Sequence, residues 1–386
     1  MRWKTLLALV GCAGCGFQGS AAQEGPPQID ARLGGSVDGP VDSPPSPPKP
    51  RRIRLRIPAT QVTGPLTDFP VYVDLDDAQS RADLKAKLGA TATNLSFRLR
   101  TDAGTTALAH EVASWDAATG RLTAWVKLPA IEATADVDTA FELHYGLPEV
   151  AVPPAPQAVW SNGFLFVFHL DSLTGTTFAN AANNAANGTA VNLNAGRLKA
   201  GKLGVGVELN NNNQVITFVN PIAGSGPSTF SAWVSQKTTN DDDSLIQLGD
   251  GSASRSRFFY TRYAGPNLGS GLYHGNLDWF TGTNIQNDGP RLLHWTYNAQ
   301  VGRIYVSGAE IGGSPRTYDV PADTTGTDGR IGNASPNFGS NMGLDGTIDE
   351  VRIANVARSA AWIAAEYANQ NTPATFVVPT PPDDAP

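Results

Sequence analysis

From residue 53 to residue 353 the chain is cut into short, alternating apolar runs by clusters of Gly, Asn, Asp and Pro. Ile53-Arg54-Leu55-Arg56-Ile57 alternates at every position, and Leu95, Phe97 and Leu99 keep the same period, as do Leu122, Ala124, Val126 and Leu128. A period of two sends successive side chains to opposite faces of a pleated strand, so each run has one face that must be buried against a partner layer. The breakers fix strand length, because Gly admits positive φ at tight turns and Pro withholds an N–H from the ladder. With 40 Gly and 28 Pro in 386 residues and only 16% charged residues, the composition admits an all-β, turn-rich protein and argues against a helical one. Residues 77–88 depart from the pattern: Leu84 and Leu88 fall four apart and predict one helix.

Charge narrows the partners. A net charge of −7 without a clustered Lys/Arg stripe excludes nucleic acid as a partner class. Both cysteines, Cys12 and Cys15, stand near the N-terminus, so no disulfide and no cysteine zinc site is expected in the body. No apolar run reaches the length of a membrane span. Met1-Arg2-Trp3-Lys4 is a short basic region, and a brief apolar run leads to Leu9-Val10-Gly11-Cys12. A small residue before Cys, preceded by branched apolar residues, resembles the bacterial lipobox. The resemblance implies a lipoprotein signal peptide at 1–11, lipidation of Cys12, and export to the outer membrane or cell surface. An ordinary signal peptide cut near Ala21-Ala22 is the alternative. Residues 12–52, dense in Pro, Gly, Ser and Asp, read as a flexible tether.

Residues 53–150 give an antiparallel sandwich. Its strands are the runs named above, together with Phe69 to Leu75, a strand around Leu108, His110 and Val112, and a last one through Phe141, Leu143 and Tyr145. Asp116-Ala117-Ala118-Thr119-Gly120 makes a hairpin turn. Leu66-Thr67-Asp68-Phe69-Pro70-Val71, His110-Glu111-Val112, Ser114-Trp115-Asp116, Trp125-Val126-Lys127-Leu128-Pro129 and His144-Tyr145-Gly146 together resemble an uncharacterised bacterial family, domain-of-unknown-function family 2341. That resemblance carries no activity.

After a Pro-rich linker at 151–158, residues 159–371 hold many more short strands and predict a larger two-sheet jelly roll. The segment ends on Gly346-Thr347-Ile348-Asp349-Glu350-Val351-Arg352-Ile353, a half-buried strand by its period. Ser359 follows as a helix cap, with Ile363 and Tyr367 on one helix face. Asp349 and Glu350 break the strand's alternation. With Trp160-Ser161-Asn162-Gly163, His169-Leu170-Asp171, Lys202 to Leu209 and Phe230-Ser231-Ala232-Trp233-Val234, this ending resembles the laminin-G-like, concanavalin A-like lectin and glucanase jelly rolls. Residues 372–386 are expected to be a disordered Pro-rich tail.

The catalytic motifs are missing. Glycan-cleaving relatives carry Glu-x-Asp-x-Glu or a near variant on one strand, and no such spacing occurs. Gly196 to Lys202 matches the start of a phosphate-binding loop, but Leu203 stands where Ser or Thr must hold magnesium. The resemblance implies a structural Ca²⁺ where first and last strands meet, with Asp171 and Asp349 as ligands; caps or an ion pair with Arg352 are the alternative. For a ligand, Trp279 with Tyr273, Asp278 and Asn276 forms the candidate platform, in a turn-rich stretch that leaves a Trp open to solvent; packing inside the sandwich is the alternative. The expectation is a non-catalytic, lipid-anchored surface protein whose jelly roll binds a glycan or a protein. A glycan-active enzyme and a structural envelope stalk are the alternatives.

Overall fold

The computed structural model describes residues 48–386, apart from 134–136, 184, 211–212, 238–240, 252–254, 273–277 and 339–341. Cys12, the leader and the tether up to residue 47 lie outside the described residues. Residues 48–386 form one compact unit containing two β-sandwiches.

In the first sandwich, one sheet runs Val378–Pro379, Arg51–Ile57, Thr139–Tyr145, Leu95–Thr101 and Gly104–Ala107 in space. The facing sheet is Leu66–Leu75, Arg121–Ile131 and His110–Asp116. The alternating residues Ile53, Leu55 and Ile57 meet Val71 and Val73 of the other sheet in one core. Helix Ala78–Leu88 closes one side; Asp77 caps it by accepting from Ser80 N at 2.9 Å, and Leu84 and Leu88 supply its buried face.

The larger sandwich packs a sheet that includes Val205–Asn210, Asp345–Ala354, Ser228–Gln236 and Arg291–Asn298 against one built around Ser256–Arg262, Asp243–Gly249, Asp328–Ile331 and Val215–Val219. Strand Asp345–Ala354 runs inside its sheet. Ser228–Gln236 pairs along one side; Val205–Asn210 and Phe164–Phe168 share the other. Its register slips between Ser231 and Trp233, one residue too long for its partner, and Glu350 takes φ 52° at that point. This bulge is the physical content of the broken alternation at Asp349 and Glu350. Arg352, which alternates with Val351 and Ile353, is buried as they are, at 2% exposed.

Three expected boundaries move. The tail 372–386 is ordered: helix Pro373–Phe376 buries Phe376 and Val377 in the first sandwich's core, and Val378–Pro379 and Asp383–Asp384 pair with Arg51–Ile57. Arg52 grips Asp383 through Nε and Nη2, both at 2.9 Å, and Arg51 Nη1 reaches Asp384 at 2.7 Å. Pro tolerates this edge position because no further strand asks for its N–H. The linker 151–158 is bonded into the first sandwich, Val152 N to Leu95 O at 3.0 Å and Ala155 N to His110 O at 2.8 Å. The tether ends earlier than expected, since Arg51 and Arg52 already belong to a strand.

Helix Ala360–Asn371, capped by Ser359, joins the two cores rather than sealing one. Trp362 and Ala365 lie in the first core, with the Trp362 ring 4.7 Å from Phe69. Asn369 accepts from Tyr72 N at 2.7 Å and donates to Tyr72 O at 2.8 Å, as an added strand residue would.

Candidate functional site

Where the sandwiches meet, His169 follows strand Phe164–Phe168 and stands between two carboxylates from different layers. Its Nδ1 is 2.7 Å from Glu350 Oε1, and its Nε2 is 3.3 Å from Glu111 Oε2. The bulge aims Glu350 here; Glu111 comes from strand His110–Asp116 of the first sandwich. Both ring nitrogens therefore face acceptors, which favours the imidazolium. Burial opposes that charge, yet Glu350 and Glu111 outweigh it and hold the His169 pKa well above its ordinary value.

Behind His169 the charges continue inward. Arg352 Nη2 donates to Glu350 Oε2 at 2.7 Å and Nη1 donates to Glu366 Oε1 at 2.6 Å. Its guanidinium lies 4.5 Å from the Trp125 ring and 4.8 Å from the Trp160 ring, one ring from each sandwich. Trp160 Nε1 donates to Glu111 Oε2 at 2.8 Å. Glu366 also accepts from Trp362 Nε1 at 3.2 Å and Gln370 Nε2 at 3.3 Å, and lies 3.3 Å from His294 Nε2. Burial would raise both carboxyls; His169 and Arg352 reverse this for Glu350, and Arg352 with His294 brings Glu366 down to about 2. A buried charge is tolerable only when paired and hydrogen-bonded, and each charge here is both.

Glu111, His169, Glu350 and Trp125 of this network line a cleft with two lobes, about 490 Å³ and 690 Å³. Glu111, His169 and Asp171 line both lobes, so they mark the neck between them. The first lobe adds Ser114, Asp116, Arg121, Thr123 and the 203–205 loop. Asp116 is held in its own hairpin, accepting from Ala118 N, Thr119 N and Thr119 Oγ1. Arg121 is clamped on Asp74 at 2.9 and 2.6 Å.

The sequence candidates fare unevenly. Asp171 belongs to the cleft. Asp349 does not line it: it is 2% exposed, and its Oδ2 accepts from Leu203 N at 2.8 Å. Burial, with the neighbouring Glu350, pushes its carboxyl up to about 7. Backbone N–H donors are the partners of an anion, whereas Ca²⁺ needs a shell of oxygens, and no group of three or more His, Cys, Asp or Glu residues among the described residues is placed to hold a metal. Asp171 and Asp349 do not fit a calcium site. Trp279 is buried in the jelly-roll core rather than open to solvent, because it sits on strand Asp278–Phe280 with the inward phase; Phe280, of opposite phase, is the exposed ring. Asp278 is 9% exposed, and Tyr273 and Asn276 lie outside the described residues. His169, Glu111 and Arg352 were missed as a set. Their one sequence signal is that the His169-Leu170-Asp171 and Asp349-Glu350 stretches both place ionisable residues at strand ends beside apolar runs.

Residues 209–364 match the concanavalin A-like lectin/glucanases superfamily. This laminin-G-type match includes Glu350 and Arg352 but neither His169 nor Glu111. Among solved structures, domain 4 of the extracellular arabinanase AbnA from Geobacillus stearothermophilus, in complex with arabinotriose, is similar. It has 18% identity and a TM-score of 0.39, over 53% of this chain and 98% of that one. Trypanosoma rangeli sialidase is similar at 14% identity and a TM-score of 0.41, over 71% of this chain; the chain spans 44% of the sialidase's length. These two likenesses concern fold and carry nothing about a ligand. Comparison with curated protein sequences gives no match.

Proposed function

We propose that this is a non-catalytic carbohydrate-binding protein of the cell envelope that takes its ligand in the two-lobed cleft. The observation that carries the reading is the condition of the cleft's carboxylates. A glycoside hydrolase needs one carboxyl that keeps its proton at working pH and a second, ionised one about 5–10 Å away. Glu350 is held below its ordinary range by His169 and Arg352, and both its oxygens are bonded. Glu111 is engaged by Trp160 and His169, and Asp116 by its own turn, which also lowers its pKa. The two carboxyls raised to about 7, Asp349 and Asp243, both lie outside the cleft's lining. Such a wall suits holding a hydroxyl-rich ligand better than cleaving one, and the concanavalin A-like match of residues 209–364 supports a glycan as that ligand.

The first sandwich, whose sequence resembles domain-of-unknown-function family 2341, supplies one wall of the site. The lipobox at Leu9-Val10-Gly11-Cys12 would anchor the chain by lipidation of Cys12, with the Pro-rich segment as spacer. The full chain should bind members of a broad oligosaccharide panel in calorimetry, and mass spectrometry of the recovered sugars should find them intact. Shortened sugars would overturn the non-catalytic reading; silence across the panel would favour a protein ligand or a stalk. Labelled fatty acid should enter the wild-type chain and not Cys12→Ala.

A further inference from the structure

We infer that the ligand of this cleft is cationic: an amine-bearing oligosaccharide whose ammonium group is held at the neck by Glu111 and Asp171. The inference rests on the carbohydrate reading above and adds the ligand's charge and its anchoring point.

The cleft has negative charge to spare and no free positive charge. Its lining carries Glu111, Asp116, Asp171 and Glu350 against Arg121 and His169, and no other Lys or Arg among the described residues lines either lobe. Arg121 is held by both oxygens of Asp74, with Asp76 a further 3.9 Å contact, so it has little left for a ligand anion. His169 is saturated by Glu350 and Glu111. Asp171 is different: its Oδ1 accepts one hydrogen bond, from Ser172 Oγ at 3.0 Å, and no cation among the described residues pairs with it. Both bonds to Glu111 go to Oε2, leaving Oε1 for a ligand.

A uronate, sialate or sulfated sugar entering here would meet ionised carboxylates with no uncommitted cation to replace the water it loses, an arrangement that costs free energy. A neutral sugar would make ordinary hydrogen bonds. An ammonium brings three donors and a charge to carboxylate oxygens with acceptor capacity left, Glu111 Oε1 and those of Asp171, and such charge-assisted bonds are roughly twice as strong as neutral ones. A bare metal ion is a poorer occupant, because both ring nitrogens of His169 are already engaged by Glu350 and Glu111 and no metal-holding group is found among the described residues. The neck's position favours a chain ligand over a single sugar. Glu111 and Asp171 face both lobes, so an amino sugar seated between them can extend its neighbours in either direction.

The test compares three oligomers of similar length by calorimetry on the full chain at pH 6: β-1,4-linked glucosamine, its fully N-acetylated form, and oligogalacturonate. The amine form should bind at least tenfold tighter than the acetylated form, and oligogalacturonate should be weakest. The gap should narrow in high salt and as pH rises through the amine's own pKa. Asp171→Asn should erase most of the preference with its melting temperature unchanged. Equal binding of the amine and acetylated forms, preference for the uronate, or an unaltered preference in Asp171→Asn overturns the charge inference and leaves carbohydrate binding standing. Binding to none of the three oligomers, with capture of a lysine-rich peptide in the same assay, overturns both.

Discussion

At His169 a single side chain couples folding to pH. Its folded pKa lies above the unfolded value near 6.5, so its contribution is complete below that pH and is lost as pH rises through the folded pKa. The groups facing it are Glu350 and Glu111, with the Trp125 and Trp160 rings alongside. Urea unfolding from pH 6 to 10 should therefore show a decline for the wild type that is flatter in His169→Gln; parallel curves would refute the coupling. Glu350 and Glu366 act at the opposite end. Their folded pKa values are depressed, so their stabilisation is present above about 4.5 and disappears as pH falls, toward about 2 for Glu366. Arg352 holds both. Arg352→Met leaves two buried carboxylates without their shared cation and should cost about 3–5 kcal/mol at pH 7. Adding Glu366→Gln should recover part of that loss; a double variant as unstable as the sum of the single ones would mean that the residues do not act as one network.

Strand Asp345–Ala354 places its charges by bulging, and the bulge needs glycine beside it. A Cβ on Gly206 would stand 2.5 Å from Ile348 O and 3.1 Å from Asp349 Cβ, so Gly206→Ala must push the closing strand aside. The expected loss is about 1–3 kcal/mol in chemical denaturation. Gly226→Ala, where a Cβ meets open space, should stay near wild type; similar losses in the two would show that the close approach is unimportant. Strands of this kind were legible where alternation and breakers coincide. Val215–Val219 and the strands through Ile53, Phe97 and Val126 were readable because one face of each is apolar and the ends are punctuated. Gly269–Gly271 and Asp278–Phe280 were not, since glycine carries no pattern and three residues are too few to define a period. That gap hid the phase of Trp279. The site was less legible than the fold. Glu111 and Glu350 are 239 positions apart (350 − 111), and only the packing of two sandwiches brings them to one ring.

The same packing makes two expected domains behave as one body. Proline-rich stretches at 151–158 and 372–386 suggested a linker and a loose tail, because composition records the turns and not the hydrogen bonds made between them. Trp362 and Ala365 from the helix that follows the jelly roll, and Phe376 and Val377 from the tail, belong to the core of the first sandwich. Arg352 meanwhile stacks on a tryptophan from each side of the seam. Neither sandwich can open without stripping apolar surface or buried charge partners from the other, so unfolding should be cooperative across the seam. Phe376→Ala should cost about 3–5 kcal/mol, and the loss should appear as one calorimetric transition moved down as a whole. Trp233 and Trp295 lie in the jelly roll, so in tryptophan-to-phenylalanine backgrounds their fluorescence should report the same lowered midpoint as Trp125 of the first sandwich. Two separated transitions, with only the Trp125 signal displaced, would mean that the sandwiches fold independently and that the seam is a contact between finished domains.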